Sequence, residues 1–305
     1  MSETNESGLE ARILSRVIGR ERELELALAA VASGRDLVLE GPPGTSKTTM
    51  LTAITQEWGI PLLFVEGNGD LTPAKLIGHH NPARVLREDY SAENFVSGPL
   101  AEAMQRGGFL YIEEFNRAPE DTLNTLLTAM ADRRIEVPRV GTIVAEPSFR
   151  VIASMNPYDN VGTTRLSTSV TDRLNRIVVG YQDAQSEERI VALRTGLDDG
   201  ALAAAIVSDA VAVTRATRDH VAVRQGSSVR GAIDCAAIAS ELATLRGIAS
   251  RDGERYPQLI LDAMLVALSG RIRLDEAAET TPEAVLTEIW EDRFVLEPAM
   301  YAGPT

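Results

Sequence analysis

The sequence predicts an α/β fold in which a five-stranded parallel sheet is followed by an all-helical domain. Three observations predict it. A glycine- and proline-rich loop lies between a short apolar strand and a helical stripe. Short apolar strands then alternate with helices as far as Val179, the pattern of a parallel sheet covered on both faces. After Tyr181 the strand signal stops and only helical periodicity remains. The organisation expected is a mobile tail over 1–11, an αβα domain over 12–182 and a helical domain over 183–305.

The elements follow in order. Arg20 to Ser33 reads as a helix, with Leu24, Ala27, Leu28 and Val31 on one stripe. Asp36 to Glu40 is a short apolar strand, Thr48 to Trp58 a helix and Ile60 to Val65 a buried strand. Residues 67–97 are polar, without period and rich in breakers, too long for an ordinary loop, and read as an insertion with its own structure. Phe109 to Ile112 is a third strand, and Pro119 to Asp132 a helix with Leu123, Leu126, Leu127 and Met130 on one face. Ile135 to Val137 and Thr142 to Ala145 read as a hairpin; Phe149 to Ser154 and Arg176 to Val179 complete five strands. Gln185 to Gly196, Gly200 to Asp219, Val229 to Ala249, Tyr256 to Leu268 and Pro282 to Trp290 all read as helices.

Composition narrows the function classes. The net charge of −14 opposes broad attraction to nucleic acid or anionic lipid. No apolar run approaches the roughly 20 residues of a membrane helix, and Met1 to Arg12 lacks the apolar stretch of a signal peptide. With Cys235 the only cysteine, no intrachain disulfide can form, and a cytoplasmic location is expected. Cys235, Trp58 and Trp290 read as packed core, and His79-His80 lacks the neighbours of a metal site.

Of 30 basic residues only Lys47 and Lys75 are lysines. One of them lies in Gly41-Pro42-Pro43-Gly44-Thr45-Ser46-Lys47-Thr48, followed by Thr49. A loop of this kind between strand and helix aims backbone N–H groups at phosphate oxygens. Lys47 is expected to reach the β- and γ-phosphates of ATP and the Thr48 hydroxyl to ligate Mg²⁺, a compact ammonium fitting where a planar guanidinium would not. A proline-glycine turn with an incidental lysine is the competing reading. Ser46 stands where glycine usually precedes the lysine, which requires a backbone there that avoids positive φ or tolerates strain.

Phe109-Leu110-Tyr111-Ile112-Glu113-Glu114 is an apolar strand ending in two acids. Glu113, in place of the usual aspartate, is expected to hold magnesium through water, and Glu114 to polarise the attacking water. A strand ending in solvent is the bland alternative. Asn156, before Pro157, is placed to orient that water, although Asn-Pro is also a common turn. Arg173, in Thr171-Asp172-Arg173-Leu174, and Arg230, at the start of a long helix, read as stabilisers of phosphoryl charge, one supplied by a neighbouring subunit. No Asn-Lys-x-Asp element favours GTP.

With these residues assembled, the chain from Val17 to Arg230 resembles the AAA+ ATPases and, within them, the MoxR family. The specific parts are Ser97-Gly98-Pro99-Leu100, Glu113-Glu114-Phe115-Asn116-Arg117-Ala118-Pro119, Asn156-Pro157, Gly162-Thr163, Asp172-Arg173 and Val179-Gly180-Tyr181. The resemblance implies an AAA+ P-loop core with a helical lid, and an adenine pocket lined by Val17, Ile18, Gly19 and Arg20. It makes Asn156 sensor 1, Arg173 the arginine finger and Arg230 sensor 2, with Arg117 and Arg165 as competing interface arginines. Residues 67–97 become the helix-2 insert and 134–146 the hairpin before sensor 1. It further implies a homo-oligomer, a hexameric ring, that remodels or matures a protein client, or works with a partner carrying a von Willebrand A domain. A nucleotide-gated assembly scaffold with little turnover, as in gas-vesicle assembly, is the alternative; a DNA motor is disfavoured by the acidic charge.

Overall fold

Strand β1 (Leu37–Glu40) lies inside the sheet, and its apolar residues alternate between two separate cores. Leu37 and Leu39 join a cluster with Met50, Leu51, Ile54, Phe109, Tyr111, Ile152 and Ile177. Val38 points the other way, into a cluster with Leu110, Ile112, Val151, Ala153, Met104, Leu123 and Leu126. The period-two alternation of a strand buried on both faces requires this division. A computed structural model supplies these coordinates and describes residues 12–13, 16–84, 91–157, 166–197 and 199–296. The expected tail over 1–11, together with Gly162, Thr163 and Arg165, lies outside the described residues.

Contacts divide the chain into two units, Met1–Gly180 and Tyr181–Thr305. In the first, β1, β2 (Leu62–Glu66), β5 (Phe109–Glu113), β8 (Arg150–Met155) and β9 (Asn175–Val178) form one parallel sheet in the order β2-β5-β8-β1-β9. Helices α1 (Glu21–Ala32) and α2 (Lys47–Trp58) contribute Leu24, Ala27, Val31, Met50 and Ile54 to one face. Gly59, left-handed at φ 65°, stops α2 by letting its N–H turn back onto Gln56. The insertion carries a short helix α3 (Pro73–Ile77) and the antiparallel pair β3 (Gly78–His80) and β4 (Phe95–Ser97), with His79 opposite Val96. Helix α4 (Pro99–Arg106) was not anticipated from patterning. At eight residues between Gly98 and Gly107 it is two turns long, too short for a helical period to declare itself. Its Leu100, Ala101, Ala103 and Met104 and the Leu123, Leu126 and Met130 face of α5 (Glu120–Asp132) cover the second face of the sheet. Strands β6 (Arg134–Val137) and β7 (Gly141–Val144) form the hairpin, and a one-turn helix α6 (Thr168–Thr171) precedes β9.

At the amino-terminal ends of the strands, Asp36 ties three elements together. Its carboxylate accepts from Val151 N–H at 2.7 Å and from Arg133 at 3.3 Å, and its carbonyl accepts from Asn175 N–H at 3.0 Å. Burial holds this carboxyl above the usual aspartate range, against the opposing pull of the Val151 N–H and of Arg133.

The second unit packs α7 (Ala184–Thr195), α8 (Ala201–Asp219), α9 (Val229–Arg246), α10 (Tyr256–Leu268) and α11 (Pro282–Glu291) around one core. It also holds a two-stranded antiparallel ribbon, β10 (Val223–Gln225) with β11 (Arg273–Leu274), which an all-helical description omits. Segments of two or three residues give no alternation to read. Buried Asp209 accepts from Arg251, Arg293 and Tyr256 and so joins α8 to the segments before α10 and after α11. Cys235 is fully buried; Trp58 and Trp290 are only half-buried, each packed against its core, and the Trp290 indole N–H donates to Pro257 O. Among the described residues no helix is long and apolar enough to cross a membrane.

Candidate functional site

The carboxyl ends of parallel strands are where an open α/β sheet offers a ligand crevice, and here four loops meet at that edge. The chain leaves β1 at Gly41, whose N–H donates to Met155 O at 3.0 Å. A Cβ at Gly41 would stand 2.0 Å from Val179 O, so only glycine lets the loop pass the end of β9. Pro42, Pro43 and Gly44 carry the turn, Gly44 at φ 74°. Thr45 is buried and its hydroxyl donates to Pro42 O at 2.9 Å. Ser46 adopts φ 65°, ψ 18°, so the strain that its position raises is present rather than avoided. For a non-glycine residue that conformation costs about 1–2 kcal/mol, and such strain collects where a backbone must aim its N–H groups.

Lys47 opens α2 and is buried with its ammonium folded over the loop, 2.9 Å from Gly41 O, 2.7 Å from Pro42 O and 3.2 Å from Thr45 Oγ1. Thr48 is half-buried and Thr49 exposed. The Thr48 hydroxyl lies 3.2 Å from the Tyr111 phenol oxygen and 3.5 Å from Glu113 Oε1. A hydroxyl and a carboxylate converging in this way form a hard-oxygen donor pair, the type that suits magnesium. Tyr111, not singled out by sequence reasoning, is fully buried and donates to Ser154 Oγ at 3.0 Å. Burial pushes its phenol up, and the Glu113 carboxylate adds to the rise, while the Ser154 and Thr48 hydroxyls oppose it. A signal for it existed, since a tyrosine inside an apolar strand must find its hydroxyl a partner.

Glu114 follows β5 in the left-handed region at φ 52°, ψ 41°, and pairs with Arg117 at 3.0 Å. Gly67, at the end of β2, donates its N–H to Glu113 O at 2.7 Å, and a Cβ there would stand 2.4 Å from Glu114 O. Asn156 is half-buried, directly after β8, whose neighbours in the sheet are β1 and β5. Its backbone carbonyl lies 3.5 Å from Asn116 Nδ2.

The structure therefore brings Gly41 to Thr48, Glu113, Glu114 and Asn156 to one edge. Val17 packs in the core shared by Met50 and Val179, Ile18 is half-buried, and Gly19 turns at φ 65°. Arg20 is buried, paired with Glu23 at 2.9 Å and donating to Gly180 O, so its guanidinium fastens the chain after β9 to the sheet unit. Arg173 is exposed, donates to Ser169 O at 3.0 Å and precedes β9, at the amino-terminal edge of the sheet. It is thus not brought to the loop of its own chain. Arg230 lies exposed in the first turn of α9, in the helical unit.

Residues 36–174 match the model of the AAA domain (dynein-related subfamily). The gas vesicle ATPase GvpN of Ancylobacter aquaticus is 27% identical over 94% of this chain and 84% of its own. Protein NorQ of Paracoccus denitrificans is 32% identical over 58% of this chain and 64% of its own. Among solved structures, a RuvB variant from Thermotoga maritima aligns at TM-score 0.53 and 20% identity over 84% of this chain and 72% of that one, a likeness of fold alone. Sequence and architecture agree in where the phosphate loop and the acidic strand end fall: residues 36–174 carry an AAA domain, and the chain is similar to a gas vesicle ATPase over most of its length.

Proposed function

We propose that the protein is a magnesium-dependent ATPase that works as a homo-oligomeric ring, a hexamer, to remodel or mature a protein partner in the cytoplasm. The observation that carries the ring is the place of Arg173. β9 runs parallel to β1, with Asn175 beside Leu37, so Arg173 and the loop after Glu40 lie at opposite ends of the same pair of strands. Four strand residues span about 13 Å, and a charge at that end serves a phosphate only in a neighbouring subunit.

In this reading residues 12–182 are the nucleotide-binding domain and 183–305 its lid, with Arg230 as the lid's charge. Residues 67–97 and 134–146 are the helix-2 insert and the hairpin before sensor 1. Val17, Ile18 and Gly19 line the adenine side. Residues 41–49 hold the phosphates: the loop's N–H groups and the start of α2 supply oriented donors, and Lys47 exchanges loop carbonyls for phosphate oxygens, which are stronger acceptors. Thr48 would hold magnesium directly and Glu113 through water, and the ion would supply neutralisation of phosphate charge. Glu114 takes the proton of the attacking water and Asn156 orients that water. A client or partner bearing a von Willebrand A domain follows from the family likeness; the likeness to a gas vesicle ATPase supports assembly of a protein complex as the second reading, with little turnover.

The test is complementation by mixing. Arg173→Ala is expected to bind ATP without hydrolysing it, and Glu114→Gln likewise; mixed, they should regain turnover at sites that pair an intact Glu114 with an intact Arg173. No recovery, with both variants oligomeric, would reject Arg173 as the donated arginine and point to Arg117 or Arg165. Phosphate release by the wild type no faster than by Glu114→Gln would favour the scaffold.

A further inference from the structure

Tyr111 and Glu113 are two positions apart on β5 and so share the face that meets the start of α2. On the neighbouring strand β8, Ser154 lies two residues before Asn156. One buried phenol thereby touches both Thr48, at 3.2 Å, and Ser154, at 3.0 Å. Its ring is held from the side by Phe64 of β2, with centroids 5.7 Å apart in an edge-on arrangement. A hydroxyl carried by β5 thus meets one helix, α2, and one neighbouring strand, β8, while β2 packs against its ring.

Hydrogen-bond capacity gives this hydroxyl a direction. A phenol has one proton to donate, and here it goes to Ser154 Oγ. Toward Thr48 the phenol oxygen can then only accept. The Thr48 proton has two acceptors to choose from, the phenol at 3.2 Å and Glu113 Oε1 at 3.5 Å, and the phenol is the nearer. With its proton turned to the phenol, the Thr48 oxygen has lone pairs left to face a cation.

We propose that Tyr111 is a positioning residue for cation binding: its buried hydroxyl accepts a hydrogen bond from the Thr48 hydroxyl, donates its own to Ser154 Oγ, and so leaves the Thr48 lone pairs free to face magnesium. The proposal rests on the reading of Thr48 as a magnesium ligand. It also gives the longer Glu113 carboxylate a division of labour, since a glutamate relieved of the Thr48 proton is left free for water on the cation. The same relay ties the metal side of the site to β8, the strand that presents Asn156.

Tyr111→Phe removes the hydroxyl and keeps the ring against Phe64. The measurement is binding of a fluorescent ATP analogue, once in magnesium and once in EDTA, with thermal unfolding as the control for folding. In EDTA, Tyr111→Phe should bind within about twofold of wild type, because the loop and Lys47 are untouched. The gain in affinity that magnesium confers should fall roughly three- to tenfold, the scale of one neutral hydrogen bond. Ser154→Ala, which takes away the acceptor that orients the phenol, should move the same ratio in the same direction by less. An undiminished magnesium gain in both variants would overturn the role of Tyr111, as would equal losses in magnesium and EDTA, the mark of simple loop packing. Should Tyr111→Phe fail to fold, an undiminished gain in Ser154→Ala overturns it alone. A wild-type protein whose affinity ignores magnesium would instead overturn the underlying assignment of Thr48.

Discussion

Glu114 Oε2 and Arg117 Nη1 stand 3.0 Å apart across a single turn, with both side chains still open to solvent. An exposed pair of this kind contributes about 0–1 kcal/mol, so it orders Glu114 without trapping it. Glu114→Gln should therefore lower the rate of ATP turnover about 10²–10⁴-fold while leaving ATP affinity near wild type. Arg117→Ala should change the unfolding free energy by less than about 0.5 kcal/mol. Steady-state phosphate release and equilibrium unfolding of the two variants check this, and a Glu114→Gln enzyme with full activity would remove Glu114 as the base.

Gly67 is pressed against the backbone of the same acidic turn. A methyl group at that position would meet Glu114 O at 2.4 Å and Glu113 O at 2.9 Å, both backbone atoms that cannot swing aside. Gly67→Ala should displace the two carboxylates together, and a misplacement of about 1 Å lowers turnover on the order of 10²-fold. ATP binding in EDTA, which depends on the loop and not on this turn, should persist. Normal turnover by a folded Gly67→Ala protein would contradict the close approach.

Ser46 stores its strain in a place where glycine would not. At φ 65° Ser46→Gly removes a clash between Cβ and the backbone, offset in part by the greater freedom of glycine in the unfolded chain. The net expectation is stabilisation by about 0.5–1 kcal/mol with ATP binding retained. Chemical denaturation of the two proteins measures it; a destabilised Ser46→Gly would show that the serine side chain makes contacts worth more than the strain.

Cys235 offers a check on the helical unit. It is fully buried in α9, and burial, with a smaller contribution from the Asp209 charge, pushes its thiol up to about 12. Alkylation requires the thiolate and access. At pH 8 the folded protein should therefore resist iodoacetamide, and label at one site only after denaturation. Mass spectrometry of the modified chain reports both conditions, and rapid labelling of native protein would contradict the packing of α9.

Lys47→Ala should lose ATP binding both in magnesium and in EDTA, which separates it from variants of the metal side. Its ammonium holds three oxygen atoms of residues 41, 42 and 45 at 2.7–3.2 Å, so the substitution also loosens the loop. Isothermal titration with ATP measures this, and wild-type affinity would reject the loop as the phosphate site.

Much of the site was legible because its signals are local. The loop from Gly41 to Thr48 declares itself by residue types at fixed spacing, and Glu113-Glu114 by ending an apolar run. The strands of the main sheet fall within a residue or two of their expected limits; β1, β5 and β8, buried on both faces, read as continuous apolar runs. Helix α4 and the ribbon of β10 and β11 escaped because two turns, or two residues, are too little for a period to emerge.

The sequence by itself determined the chemistry available: a lysine and a threonine at a helix start, two carboxylates after a strand, an asparagine after another, and arginines further on. Only the tertiary structure decided which of these share a space. Strand order is a long-range property, and no local pattern says that β8 lies between β1 and β5. That placement sets Asn156 beside the loop, and the parallel pairing of β9 with β1 leaves Arg173 at the far edge. It also turned Tyr111 from one more core aromatic into the hydroxyl that joins Thr48 to Ser154. The backbone at Ser46 is of the same kind: a serine in a sequence has no φ, and only the closing of the loop over Lys47 imposes one of 65°.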